Sequence, residues 1–156
     1  MYDATITSYQ VFLSIHILAA VLWVGANFAI HFYFARMDPE NDPVRTGKLV
    51  RDTEILGNRI FAPLSLILLV MGFILVSKGH WGYHFWVIFG LFVWAFSFVN
   101  GIGYLGRVAI PIADGLESEG YTPAVAAKFR GFTLASRIEF TLLVLVVLDM
   151  GLKPGS

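Results

Sequence analysis

Long apolar runs separated by short charged stretches set the pattern of this chain. The first run, Tyr9 to Ala35, contains no Asp, Glu, Lys or Arg. Four segments reach the roughly 20 apolar residues that cross a bilayer as a helix. They fall at approximately 8–35, 55–77, 81–105 and 132–152. Strands of a membrane barrel would alternate over about ten residues instead, so the spans are helices. The pattern predicts an all-α fold: a four-transmembrane-helix bundle, antiparallel and up-down, forming a single integral membrane domain over residues 1–156. The first run is too long for a signal-peptide core and has no basic leader, so it reads as a permanent helix.

Helix starts are marked by Asp42-Pro43 and Thr122-Pro123, each a capping side chain before a first-turn proline. They predict basic amphipathic stems, 44–53 and 124–131, leading into the second and fourth spans. Pro63 falls inside the second span and is expected to kink it.

Composition supports lipid as the solvent. The 156 residues are 57% hydrophobic and 14% charged, against about 45–50% and 25% in soluble domains. Without cysteine, thiolate metal sites, disulfides and cysteine nucleophiles are excluded. A formal net charge of zero and the absence of DNA-binding signatures argue against nucleic acid as a partner.

Charge also orients the chain. Arg36, Arg45, Lys48, Arg51 and Arg59 flank the first connection, and Arg107, Lys128, Arg130 and Arg137 flank the third. Only Lys78 and Lys153 lie on the other side. The positive-inside rule places the basic loops in the cytoplasm and both termini on the non-cytoplasmic side, in a multi-pass protein of the inner (cytoplasmic) membrane.

Polar residues at membrane depth are the candidates for function. His16, Trp23, Asn27 and His31 lie within an arc of about 80° on the first helix. His16 is the ionisable group of that helix's outer part, and a neutral imidazole there suits a metal or haem iron. Zinc or copper wants three or four ligands, but no HxxxH or HxxEH pair occurs on a span. A haem needs one or two axial ligands and an apolar slot, which four-helix bundles supply and 14 Phe and 4 Trp can wall. His84 and His80 are the alternatives for a second ligand, and a five-coordinate haem on His16 alone stays open. Toward the cytoplasm, Asn27, His31, Glu54, Asn58, Asn100 and Glu139 are expected to form a structural polar cluster. Arg59 and Arg137 join it as an ion-pair lock with Glu54 and Glu139. Arg137 and Glu139 stand about 200° apart on their helix, so only one of them faces the bundle.

Three blocks carry a family resemblance: His16 through Trp23 to Gly25, Arg51 through Glu54 to Pro63, and Arg137-Ile-Glu139 through Asp149 to Lys153-Pro154. They resemble an uncharacterised family of four-helix integral membrane proteins, over essentially the whole chain. That family is distantly similar to CopD-like copper-resistance proteins and HemJ-type protoporphyrinogen oxidases. The shared pieces are a first-helix histidine seven residues before a tryptophan and a charged last helix ending in Lys-Pro. The resemblance implies haem b on His16. The lysine that HemJ-type enzymes use in their third helix has no counterpart here; Lys78 precedes that helix. CopD-like proteins imply copper, while this chain offers Met1, Met37, Met71 and Met150 without a cluster.

The functional expectation is a haem b or porphyrin-binding membrane protein of redox type. His16 is the axial ligand, Trp23 and His84 stand at the pocket, and Arg59 and Arg137 face the propionates. As an enzyme it is a membrane oxidoreductase. Two other readings remain: a non-enzymatic accessory or scaffolding subunit of a larger membrane complex, and a small transporter. In each case the partners are the bilayer and further copies or subunits.

Overall fold

The computed structural model describes residues 7–153, so Met1 and Pro154 lie outside the described residues. All regular structure in it is helical: α1 (Ser8–Phe34), α2 (Pro43–Leu56), a π-helical segment (Gly57–Phe61), α3 (Ala62–Gly79), α4 (Phe85–Val99), a second π-helical segment (Asn100–Leu105), α5 (Gly106–Ser118) and α6 (Pro123–Leu152). The π segments interrupt no rod. Residues 43–79 form one helical rod and 85–118 another, and with α1 and α6 they make four helices long and apolar enough to cross a membrane. Short connections make neighbours antiparallel. α1 packs on α3, α3 on α4, α4 on α6, and α6 closes on α1.

The expected caps form. The Asp42 side chain accepts from the Arg45 N–H and that of Thr122 from the Val125 N–H, each before a first-turn proline. α1 begins with a reciprocal Thr7–Gln10 capping box. Outside the helices, Asp38 accepts from the Asn41 amide and backbone N–H, which holds its carboxyl below the usual aspartate range.

Two departures from the sequence reading matter for the site. The third span does not start at residue 81: Trp81 and Tyr83 sit in the connection and α4 begins at Phe85. Nor does the helix stop at 105. The rod runs on as α5 through what reads as loop, even past Pro111. At Pro63 the disturbance appears as helix widening. Proline has no N–H for the Arg59 carbonyl, and one residue earlier the Ala62 N–H reaches back five residues to the Gly57 carbonyl. The second π segment closes in the same way, with the Gly106 N–H donating to the Gly101 carbonyl.

Rod length explains the rest of the architecture. At about 1.5 Å per residue, a rod of 34–37 residues exceeds the roughly 30 Å hydrocarbon core by some 20 Å. The surplus is α2, α5 and the first turns of α6, which pack together as a layer on the basic-loop side. Val50, Ala109, Ile112, Ala113, Leu116, Val125, Phe129 and Phe132 form its core. Four of the five largest fully buried side chains, Ile112, Leu116, Val50 and Thr46, belong to this layer. The membrane-embedded core is smaller, built around Trp23, Val93 and Leu143. The contrast follows from solvent. Against water, apolar surface must be covered by protein, whereas in the bilayer lipid covers it equally well.

Candidate functional site

Where the two layers meet, the bundle encloses a cavity of about 90 Å³. Both π segments line it: Gly57, Asn58 and Phe61 from the first, Gly101, Ile102 and Leu105 from the second. A Cβ placed on Gly57 or Gly101 would meet nothing within 4 Å. Single π-helical turns inside α-helices recur at functional sites, because the extra residue re-aims neighbouring groups.

Glu139 is the acid of this cavity. It is buried, 7% exposed, midway along α6, and accepts a 2.6 Å hydrogen bond from the Asn100 side-chain amide at the start of the second π segment. No arginine, lysine or histidine pairs with it among the described residues. Around it stand the buried Asn27, Ser65 and Ser97. Asn27 donates its side-chain amide to the Trp23 carbonyl. Ser65 gives its hydroxyl to the Ala62 carbonyl, while its own carbonyl receives the Trp94 indole N–H from α4 at 2.9 Å. Two lining groups, the Trp23 indole N–H and the Ser97 hydroxyl, are buried without a protein partner. An unpaired buried polar group costs on the order of 1–3 kcal/mol.

His31 links α1 to α6 at the cavity's edge. Its Nδ1 lies 2.8 Å from the Asn27 carbonyl and its Nε2 3.3 Å from the Ser136 hydroxyl, while the ring stacks on Phe140. A carbonyl only accepts, so Nδ1 carries the proton; in the neutral ring Nε2 then accepts from Ser136. Ser136 itself lines the cavity.

Asn27, Glu54, Asn58 and Glu139 line the cavity, Asn100 binds Glu139, and His31 joins through Ser136. Glu54 is taken by the Asn58 amide. The expected ion-pair lock is a correction. Arg59 is exposed on the first π segment, and Arg137 is exposed because, of the two α6 positions about 200° apart, it is Glu139 that turns inward. The described ion pairs lie in the layer on the basic-loop side, where Arg51 of α2 bridges Asp114 and Glu117 of α5 at 2.8 and 3.1 Å.

The residues expected at a haem are dispersed. Trp23 lines the cavity, but His16 lines neither this cavity nor the second one described below. His16 is half-buried, and a Cβ on Gly72 of α3 would lie 3.6 Å from its ring. Its Nδ1 is buried without a partner. His84 is exposed at the N-cap of α4, and His80 is used as the left-handed C-cap of α3, φ 52°. No group of three or more His, Asp or Glu stands at metal-binding distance among the described residues. The sequence reading missed Ser136, Trp94 and both π segments. The three-residue spacing of Ser136 and Glu139 was a usable signal for the first, since it puts them on one helix face.

No curated protein and no solved structure matches this chain. A family model described as "Predicted integral membrane protein (DUF2269)" matches residues 10–154, so the protein belongs to that family of multi-pass integral membrane proteins.

Proposed function

We propose that this is a proton-handling membrane protein, acting as an oligomer or as a subunit of a membrane transport complex, with Glu139 as the group that takes up and releases the proton. One observation carries the reading. A carboxyl group midway along a membrane-crossing helix, held among the described residues by the Asn100 amide alone, faces a cavity lined by residues with further unpaired polar groups. Ionisable groups at such depth are costly and characteristically mark ion pathways and proton relays. Asn100, Ser97, Ser136 and Asn27 supply donors and acceptors for water beside the carboxyl. The basic loops, and with them the Ser136–His31 side of the cavity, face the cytoplasm by the charge rule.

The test is dissipation of an imposed pH gradient by proteoliposomes of the purified protein. Wild type is expected to exceed protein-free vesicles, and Glu139→Gln is expected to fall to their level. Equal rates for all three preparations would remove the proposal. Gly101→Leu supplies a second arm. It adds a side chain at a lining position where a Cβ meets nothing within 4 Å, and leaves the thermal midpoint unchanged or raised, since leucine is better than glycine in a helix by up to about 1 kcal/mol. It is expected to slow proton flux all the same.

A second reading places haem b on His16, as the resemblance read from the sequence implies, and the His16 Nδ1, buried outside the strict hydrogen bonds of the described residues, favours it. The residues of one copy do not fit a porphyrin. The cavity of about 90 Å³ is well below the roughly 300–1,000 Å³ of usual small-molecule sites, His16 is outside it, and Arg59 and Arg137 are exposed. An absorbance spectrum of the purified protein decides. A Soret band that His16→Ala removes would establish haem on this residue, and no band at all would exclude it.

A further inference from the structure

A second cavity, of about 140 Å³, opens between the end of α1 and the first half of α6. Arg130, Thr133, Ser136 and Arg137 line it from α6, and His31 from α1. Met37 and Pro39 of the first connection close it on the other side. It is separate from the Glu139 cavity, with Ser136, Phe34 and Phe132 as the shared partition.

The two arginines have no evident structural task. Neither makes an ion pair or a side-chain hydrogen bond among the described residues. The α1 carbonyls that arginines at a helix end commonly cap are already used: those of His31, Tyr33 and Phe34 accept from the N–H groups of Ala35, Arg36 and Met37. Seven residues apart, Arg130 and Arg137 lie within about 20° of each other on α6, two turns apart and on one face. Thr133 falls between them on that face. The Thr133 and Ser136 hydroxyls are spent on the Arg130 carbonyl and on His31, so the free donors at the cavity are the two guanidinium forks, which match phosphate oxygens in bidentate geometry.

We infer that this cavity holds a phosphate group, supplied by an anionic phospholipid headgroup of the leaflet on the basic-loop side. The surroundings favour a lipid over a soluble phosphate. Leu134 and Ile138 flank Arg137 on the side of α6 away from the bundle, and they are 61% and 46% exposed. Phe28 of α1, 61% exposed, meets Phe140 of α6 across the same seam. A headgroup in the cavity therefore has apolar surface beside it for its acyl chains. Basic pockets between transmembrane helices suit such headgroups.

Native mass spectrometry tests the inference on the full chain, reconstituted in equal phosphatidylglycerol and phosphatidylcholine and re-extracted in an uncharged detergent. Wild type is expected to retain one phosphatidylglycerol in preference to phosphatidylcholine. Arg130→Gln/Arg137→Gln is expected to lose that preference by about tenfold or more, since a charge-assisted hydrogen bond is worth roughly a tenfold change in affinity. Lys48→Gln, an exposed charge of α2 on the same side, leaves it unchanged. Both arginines are exposed, so the double variant should keep the wild-type thermal midpoint, and Arg130→Lys/Arg137→Lys, which keeps charge but not the fork, should recover part of the preference. A second arm uses inorganic phosphate. If it raises the midpoint of delipidated wild type but not of the double variant, and no lipid preference exists, the anion site stands and its ligand is soluble. Equal retention of both lipids with no effect of phosphate overturns the inference, as does an equal loss in Lys48→Gln, which would reduce the effect to general surface charge.

Discussion

Leu116→Ala destabilises the layer of α2, α5 and the start of α6 by roughly 2–5 kcal/mol, the range for emptying a fully buried leucine site. Leu116 is 0% exposed, in a core with Val50, Ile112 and Phe132. Its Cβ lies against α2 so closely that a Cβ on Gly47 would stand 3.3 Å from it and 3.0 Å from the Ala113 carbonyl. Helices this close have no slack to collapse into the space that a lost isobutyl group leaves. Leu145→Ala on α6 is the matched control. Leu145 is 46% exposed toward lipid, so the truncation trades protein–lipid contact for lipid–lipid contact, and about 0.5 kcal/mol or less is expected. Hydrogen exchange in detergent reads both. In Leu116→Ala the amides of α2 and α5 lose protection while those of α1 and α4 keep theirs; in Leu145→Ala neither set moves. Equal effects from the two truncations would contradict the assignment of a water-facing core to this layer.

That layer also marks where the sequence was hardest to read. The four spans are legible because lipid demands about 20 consecutive apolar residues and few other structures do. Asp42-Pro43 and Thr122-Pro123 announce their helices because the cap and the first-turn proline are local signals. α5 was hidden in a stretch that charge and Pro111 make look like a loop. Its periodic signal was nevertheless present in Ala109, Ile112, Ala113 and Leu116, at offsets of 3, 4 and 7, all of them buried. The partner face, Thr46, Gly47 and Val50 of α2, is too small and too polar to announce a core by itself. Long-range packing of α2 on α5 decides both, and no window of the sequence contains it.

At the site, residue types were legible and their connections were not. Depth alone selected Asn27, Asn100 and Glu139. Helical geometry alone said that Glu139 and Arg137 could not both point inward. Which of the two would do so depended on solvation: a long guanidinium stem reaches the interface from the lipid-facing side, and a short carboxyl stem does not. The weight placed on His16 followed from the rarity of an ionisable group in its helix. Yet the cavity lies at the other end, where two π segments open the rods, and a π segment has no sequence signature comparable to a cap or a span.

Glu139→Gln abolishes proton flux while leaving the fold intact, and the separation of those two effects is the expected result. Glutamine keeps the size of the side chain and keeps an oxygen to accept from the Asn100 amide, now bonded at 2.6 Å, so the α4–α6 contact at the cavity survives. What it removes is the exchangeable carboxyl proton. The infrared band of a protonated carboxylic acid, if present in wild type, disappears in this variant, and thermal midpoint and monodispersity do not change. Asn100→Leu is the complementary case. It takes away the donor, leaving the carboxyl in a cavity whose Trp23 N–H and Ser97 hydroxyl are already unpaired, and a net loss of about 1–3 kcal/mol is expected for a hydrogen bond to a charged or chargeable group. Flux then persists at an altered rate, because the proton-bearing group remains. If Glu139→Gln instead unfolds the protein while Asn100→Leu does not, the carboxyl is a structural pin and its role in transport is lost. If both variants fold and conduct like wild type, the cavity is packing space between two layers of helices, and proton handling has to be sought at another group of the chain.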